Sequence, residues 1–92
     1  MNKIDGAKTL LVGNSESEDF GFVDWFDGNR RKVEYLSINQ YENDDRFYLF
    51  LLNGQFETLS DYIEDTIDEA KNIANKLFPN VKIKWKVIEN KI

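Results

Sequence analysis

Phe47-Tyr48-Leu49-Phe50-Leu51-Leu52 is apolar at every position, and Asn53-Gly54 follows it directly. Side chains alternate across a strand, so Phe47, Leu49 and Leu51 would line one face and Tyr48, Phe50 and Leu52 the other. Both faces then need cover, which makes this a central strand. Asn53-Gly54 is the dipeptide that suits a two-residue type I′ turn, because both central residues of that turn need positive φ. The chain is expected to double back into a strand over 55–60, completing a hairpin.

Working outward from the hairpin, Thr66-x-x-Glu69 has the spacing of a capping box and opens a helix over 66–78. Ile67, Ala70, Ala74 and Leu77 recur at i, i+3, i+7 and i+10, with Ile73 and Phe78 at the flanks, which predicts one apolar stripe facing a sheet. Pro79-Asn80 ends the helix. Residues 61–65 read two ways, since Ile63 also falls on the helical stripe and Ser60 or Asp61 could cap a longer helix; the hairpin is the preferred reading.

Upstream, Thr9-Leu10-Leu11-Val12 is a short strand candidate and residues 13–19 form a polar, acidic loop. Residues 20–26 are aromatic-rich and end in the turn signal Asp27-Gly28-Asn29, before residues 33–41 resume extended character as the partner of a second hairpin. Residues 42–45 then lead into the central strand. At the other end of the chain, Val81, Ile83, Trp85 and Val87 alternate with Lys82, Lys84 and Lys86, a strand with one wet face. The predicted order is β-β-β-β-α-β with an extra N-terminal strand as an option. This is an α+β, two-layer fold in which one helix packs on one face of a mainly antiparallel sheet. The far face must be covered by the N-terminal segment, by a second copy of the chain, or by a partner.

With 92 residues the chain is expected to form one domain, 1–92, with room for a single core. No stretch approaches the about 20 apolar residues of a membrane helix. Residues 1–6 hold no apolar export signal, and the absence of Cys excludes a disulfide scaffold, so the expected location is cytoplasmic. The net charge of −5 disfavours binding to a phosphate backbone and favours a basic protein partner.

The chain has no His and no Cys, so it lacks the commonest general base, the soft metal ligands and the cysteine nucleophile. No catalytic, cofactor-binding or metal-binding residue is expected. Asp19-Phe20-Gly21 spells a kinase tripeptide without the other kinase motifs. Asp24-x-x-Asp27-Gly28-Asn29 lacks the spacing and the distal Glu of a calcium loop. What stands out is charge polarity. Glu57, Asp61, Glu64, Asp65, Asp68 and Glu69 come with no basic residue among them, whereas Lys71, Lys76, Lys82, Lys84, Lys86 and Lys91 follow against Glu89 alone. Acids at a helix N-terminus and lysines towards its C-terminus complement the macrodipole, which is the structural explanation. The functional one is an acidic docking surface made of Asp24, Asp27, Asp44, Asp45, Glu57, Asp61, Glu64 and Asp65. Arg30-Arg31-Lys32 is too short a basic cluster to mark a nucleic-acid site, and Lys82, Lys84 and Lys86 read as strand solvation. Trp85 is expected in the core, and Trp25, beside the Asp24–Asp27 turn, suits an interface anchor.

Residues 47–78, about a third of the chain, resemble small bacterial proteins identified as immunity proteins of polymorphic or contact-dependent toxin systems. The shared features are the Tyr48-Leu49-Phe50-Leu51 strand, a turn, a second strand, and a helix opening with Glu69-Ala70-Lys71 and Ala74. The resemblance implies a small, acidic, cytoplasmic inhibitor that binds and blocks one cognate toxin, often a nuclease. A different class of function, a nucleic-acid or ligand-binding module, would stack bases on Phe20, Phe22, Tyr35 and Tyr48 of an open sheet face. A third would be a structural or phage interaction protein that forms a homodimer through the far sheet face.

Overall fold

A computed structural model describes residues 3–88. Eight strands and one helix follow in the order β1 (Lys3–Ile4), β2 (Ala7–Ser15), β3 (Phe22–Asp24), β4 (Arg30–Lys32), β5 (Tyr35–Gln40), β6 (Phe47–Leu52), β7 (Thr58–Glu64), α1 (Ile67–Leu77) and β8 (Ile83–Val87). The main sheet runs β1-β2-β5-β6-β7 and is antiparallel throughout, and β8 also pairs with β2, through Leu11 to Ser15. β3 and β4 form a separate two-stranded ribbon. This is the predicted α+β architecture.

The apolar run 47–52 occupies the interior of the sheet, hydrogen-bonded to β5 on one side and β7 on the other. Its alternation works as expected. Leu49 and Leu51 belong to the cluster under the helix, with Leu36, Ile38, Ala70 and Ala74, all 0–1% exposed. Phe50 and Leu52 belong to a second cluster on the far face, with Ile4 and Ala7 buried beside them and Tyr35, Tyr41, Tyr48 and Phe56 around them. The N-terminal segment thus contributes to covering the far face, the first of the three expected covers. Three polar residues are fully buried as well: Thr9, Ser37 and Asn39. The Asn39 amide donates to Ser37 Oγ at 2.9 Å and to the Tyr48 carbonyl at 3.2 Å.

Thr66 caps α1 as its spacing predicts, its hydroxyl accepting from the Glu69 N–H at 3.0 Å. The same hydroxyl donates to the Glu69 carboxylate at 3.2 Å. Asp68 and Glu69 in the first turn and Lys76 in the last match the helix dipole.

Five expectations need correction. The Asn53-Gly54 turn is a five-residue connection, 53–57, not a two-residue type I′ turn. Its left-handed residue is Phe56, at φ 61. The Asn53 side chain builds it, accepting from the Gln55 and Glu57 N–H groups at 3.0 and 2.9 Å, so asparagine here acts through hydrogen bonding rather than through positive φ. The returning strand is consequently Thr58–Glu64, which makes residues 61–64 strand. Gly13-Asn14-Ser15 continues β2 rather than starting a loop, because β8 arrives from far along the chain to pair with it. The second hairpin closes on Arg30–Lys32, and the strand beginning at Tyr35 joins the main sheet. Finally, Leu77 is 38% exposed, and the apolar stripe passes instead through Ala74 to Phe78, whose ring meets Phe20 edge-on at 5.0 Å. Glu89 and Lys91, part of the charge pattern noted above, lie outside the described residues.

Candidate partner-binding edge

β7 is the last strand of the main sheet, so its outer side forms an edge. Of the eight acidic residues singled out above, four follow this strand: Glu57 immediately before it, Asp61 and Glu64 within it, Asp65 immediately after it. Alternation places Asp61 opposite Phe50, on the far face, and Glu64 opposite Phe47, on the helix face. Asp61 is exposed and Glu64 half-buried, and neither faces a cation among the described residues. Asp61 and Glu64 lie in the strand, outside the first helical turn where the helix dipole acts most strongly.

The turn before β6 adds Asp44 and Asp45 at the end of the sheet where Glu64 and Asp65 also sit, since Phe47 pairs with Glu64. Arg46 Nε lies 3.9 Å from Asp65 Oδ1, with both side chains largely in water, a separation and exposure at which the pair contributes little. Asp44 is held more firmly. Its carboxylate accepts the Tyr48 hydroxyl at 2.7 Å and the Arg46 N–H at 2.9 Å. The Tyr48 hydrogen bond, followed by the Arg46 N–H, holds the Asp44 carboxyl below its ordinary range, and the same bond raises the Tyr48 phenol.

Asp24 and Asp27 do not join this edge. Both sit on the β3–β4 ribbon and face arginines: Asp24 lies 3.9 Å from Arg30, and Asp27 pairs with Arg31. Asp27 is lowered chiefly by the Asn29 N–H, which donates to it at 2.9 Å. Within the basic cluster Arg31 is thus held against Asp27, whereas the Arg30–Asp24 pair, at 3.9 Å and largely in water, contributes little. Trp25 is half-buried against the core, with Arg31 over its ring at 4.9 Å, and it is the adjacent Phe26, 87% exposed, that stands into solvent.

The four aromatics suggested as a stacking platform do not share a surface. Phe20 is buried beneath the helix, Phe22 stands on the ribbon, and Tyr35 and Tyr48 belong to the far-face cluster. Tyr35 already stacks on Phe56 at 4.6 Å. A cleft of about 240 Å³ opens where the ribbon meets the sheet, with Asp19, Phe20, Lys32 and Glu34 in its wall. Lys32 Nζ lies 3.9 Å from Asp19 and 4.0 Å from Glu34, so its charge is matched within the cleft.

Among the described residues, no group of three or more His, Cys, Asp or Glu side chains could hold a metal ion, and no helix is long and apolar enough to cross a membrane. Compared with protein-family models, curated proteins and solved structures, the chain matches none.

Proposed function

We propose that this chain is a non-enzymatic protein inhibitor that binds a basic partner through the acidic β7 edge, acting as an immunity protein that neutralises a cognate toxin in the cytoplasm. The observation that carries the reading is the position of Asp61 and Glu64: two carboxylates that have no cationic partner among the described residues, on an edge strand, flanked by Glu57 and Asp65. Such a surface speeds encounter with a basic protein and makes binding sensitive to salt. A basic substrate groove, such as that of a nuclease, is a fitting target, because the inhibitor then occupies the site that holds phosphates.

The test has two stages. The tagged protein is used to recover partners from lysate of its native host with a salt gradient, and one basic protein at near-equal stoichiometry is expected. The triple variant Asp61→Asn, Glu64→Gln, Asp65→Asn should then bind that protein at least about tenfold more weakly and fail to block its activity, as loss of close charge pairs implies. Unchanged binding by the triple variant would remove the β7 edge from the interface, and recovery of RNA or DNA in place of a protein would replace the reading altogether.

A further inference from the structure

The edge of β7 offers backbone as well as charge. Only β6 pairs with it among the described residues, so alternate residues between Thr58 and Glu64 turn their N–H and C=O groups outward. Proteins ordinarily blunt such an edge with charged side chains, above all lysine, or with proline or a bulge, and of these β7 carries the two acids Asp61 and Glu64, one on each face. β7 has no lysine and no proline, and the one register shift in its pairing falls near Thr58, leaving residues 60–64 regular. At the opposite edge, β8 carries Lys84 and Lys86, the usual protection. Beside Asp61 on the far face stands Ile63, 48% exposed and paired across the strands with Tyr48. An open, regular strand with an acid and an exposed apolar residue two positions apart on one face has the form of a strand acceptor.

We propose that β7 receives an extended segment of the partner protein as an added strand, with a lysine or arginine opposite Asp61 and an apolar residue opposite Ile63. The proposal rests on the reading that the partner is basic and adds how it is held. Main-chain hydrogen bonds to the outward groups of residues 60–64 would hold the segment, and the Asp61–Ile63 pair would select it. The added strand would cover Ile63 and give Asp61 a cation.

The test uses the full chain, labelled with ¹⁵N, and the peptide acetyl-Lys-Thr-Val-Thr-Lys-Thr-Lys-amide at low salt. This peptide presents lysine and valine two residues apart in either strand direction. Its control has the same sequence and charge with every backbone nitrogen methylated, which removes the donors a strand needs. The expected result is binding of the first peptide at least about tenfold tighter than the second, with slowed amide exchange at alternate residues of 58–64. Equal binding by the two peptides would overturn strand addition while leaving the acidic-edge reading in place. Binding by neither would remove both. Protection on β8 or on the ribbon instead of β7 would overturn the proposal. So would protection of β7 without peptide that rises with protein concentration, since a second copy of the chain would then occupy the edge.

Discussion

The indole of Trp85 sits over Gly13, its partner across the β2–β8 ladder. A Cβ at position 13 would lie 2.9 Å from indole Cζ3, closer than packed carbon atoms tolerate, and 3.1 Å from Ile83 Cγ2, tight enough that the neighbour must shift. Glycine here lets the two strands approach without displacing a neighbour, and the aromatic ring covers the gap that its missing side chain leaves. Gly13→Ala relieves the entropic penalty of a strand glycine, roughly 0.5–1 kcal/mol, but overpacks a buried site at roughly 1–3 kcal/mol. Overpacking wins. Denaturant unfolding should show a net loss for Gly13→Ala, and in a Trp85→Ala background the same change should cost less, with Ile83 the remaining close neighbour. Equal losses in both backgrounds would mean that the ring is not what constrains position 13.

Leu49 and Leu77 are both leucines on apolar stripes, yet one is 0% and the other 38% exposed. Leu49→Ala should cost roughly 2–5 kcal/mol, the range for emptying a packed core site. Leu77→Ala should cost less than about 1 kcal/mol, as for a largely solvated helix position. Urea midpoints of the two variants separate these cases, and comparable losses would place Leu77 in the core after all.

Thr66 supplies an N-cap hydroxyl to the Glu69 N–H. Thr66→Ala should lower stability by about 1 kcal/mol, whereas Thr66→Ser, which keeps the acceptor, should stay near the parent value. Thermal unfolding followed by circular dichroism checks this, and equal losses would show that the hydroxyl does not cap the helix.

The Tyr48–Asp44 hydrogen bond makes the turn before β6 sensitive to pH at both extremes. Asp44 has a depressed pKa in the folded chain, so its contribution is present above the ordinary carboxylate range and is lost as pH falls through the depressed value, below about 4. Tyr48 has a raised pKa, so its contribution is present below about 10 and is lost as pH rises through the raised value. In Tyr48→Phe the Asp44 carboxyl should titrate at higher pH than in the parent, read from its ¹³C shift. An unchanged titration would leave the Arg46 N–H as the main cause of the depression.

Local chemistry was enough to determine several elements from the sequence. The six apolar residues from Phe47 to Leu52 declare a strand buried on both faces, Thr66 with Glu69 declares where the helix starts, and the Lys–apolar alternation declares a half-wet strand, which holds at Ile83 and Trp85 but not at Val87, 67% exposed at the strand's end. In each case the signal lies within a few residues, because backbone geometry alone sets those periods. Pairing carries no such local signal. Gly13 to Ser15 read as loop because glycine, asparagine and serine disfavour strands, and only tertiary pairing makes them one: β5 reaches Gly13 through Leu36, while β8, from far along the chain, pairs with all three and brings the Trp85 ring. The same holds for the acids. Asp24 and Asp27 look equivalent to Asp61 and Glu64 as residues, but the ribbon sets Asp27 against Arg31 and Asp24 near Arg30, while among the described residues no cation lies against Asp61 or Glu64. Whether a charge is matched depends on which strands become neighbours, and that is decided when the sheet closes its cores on both faces.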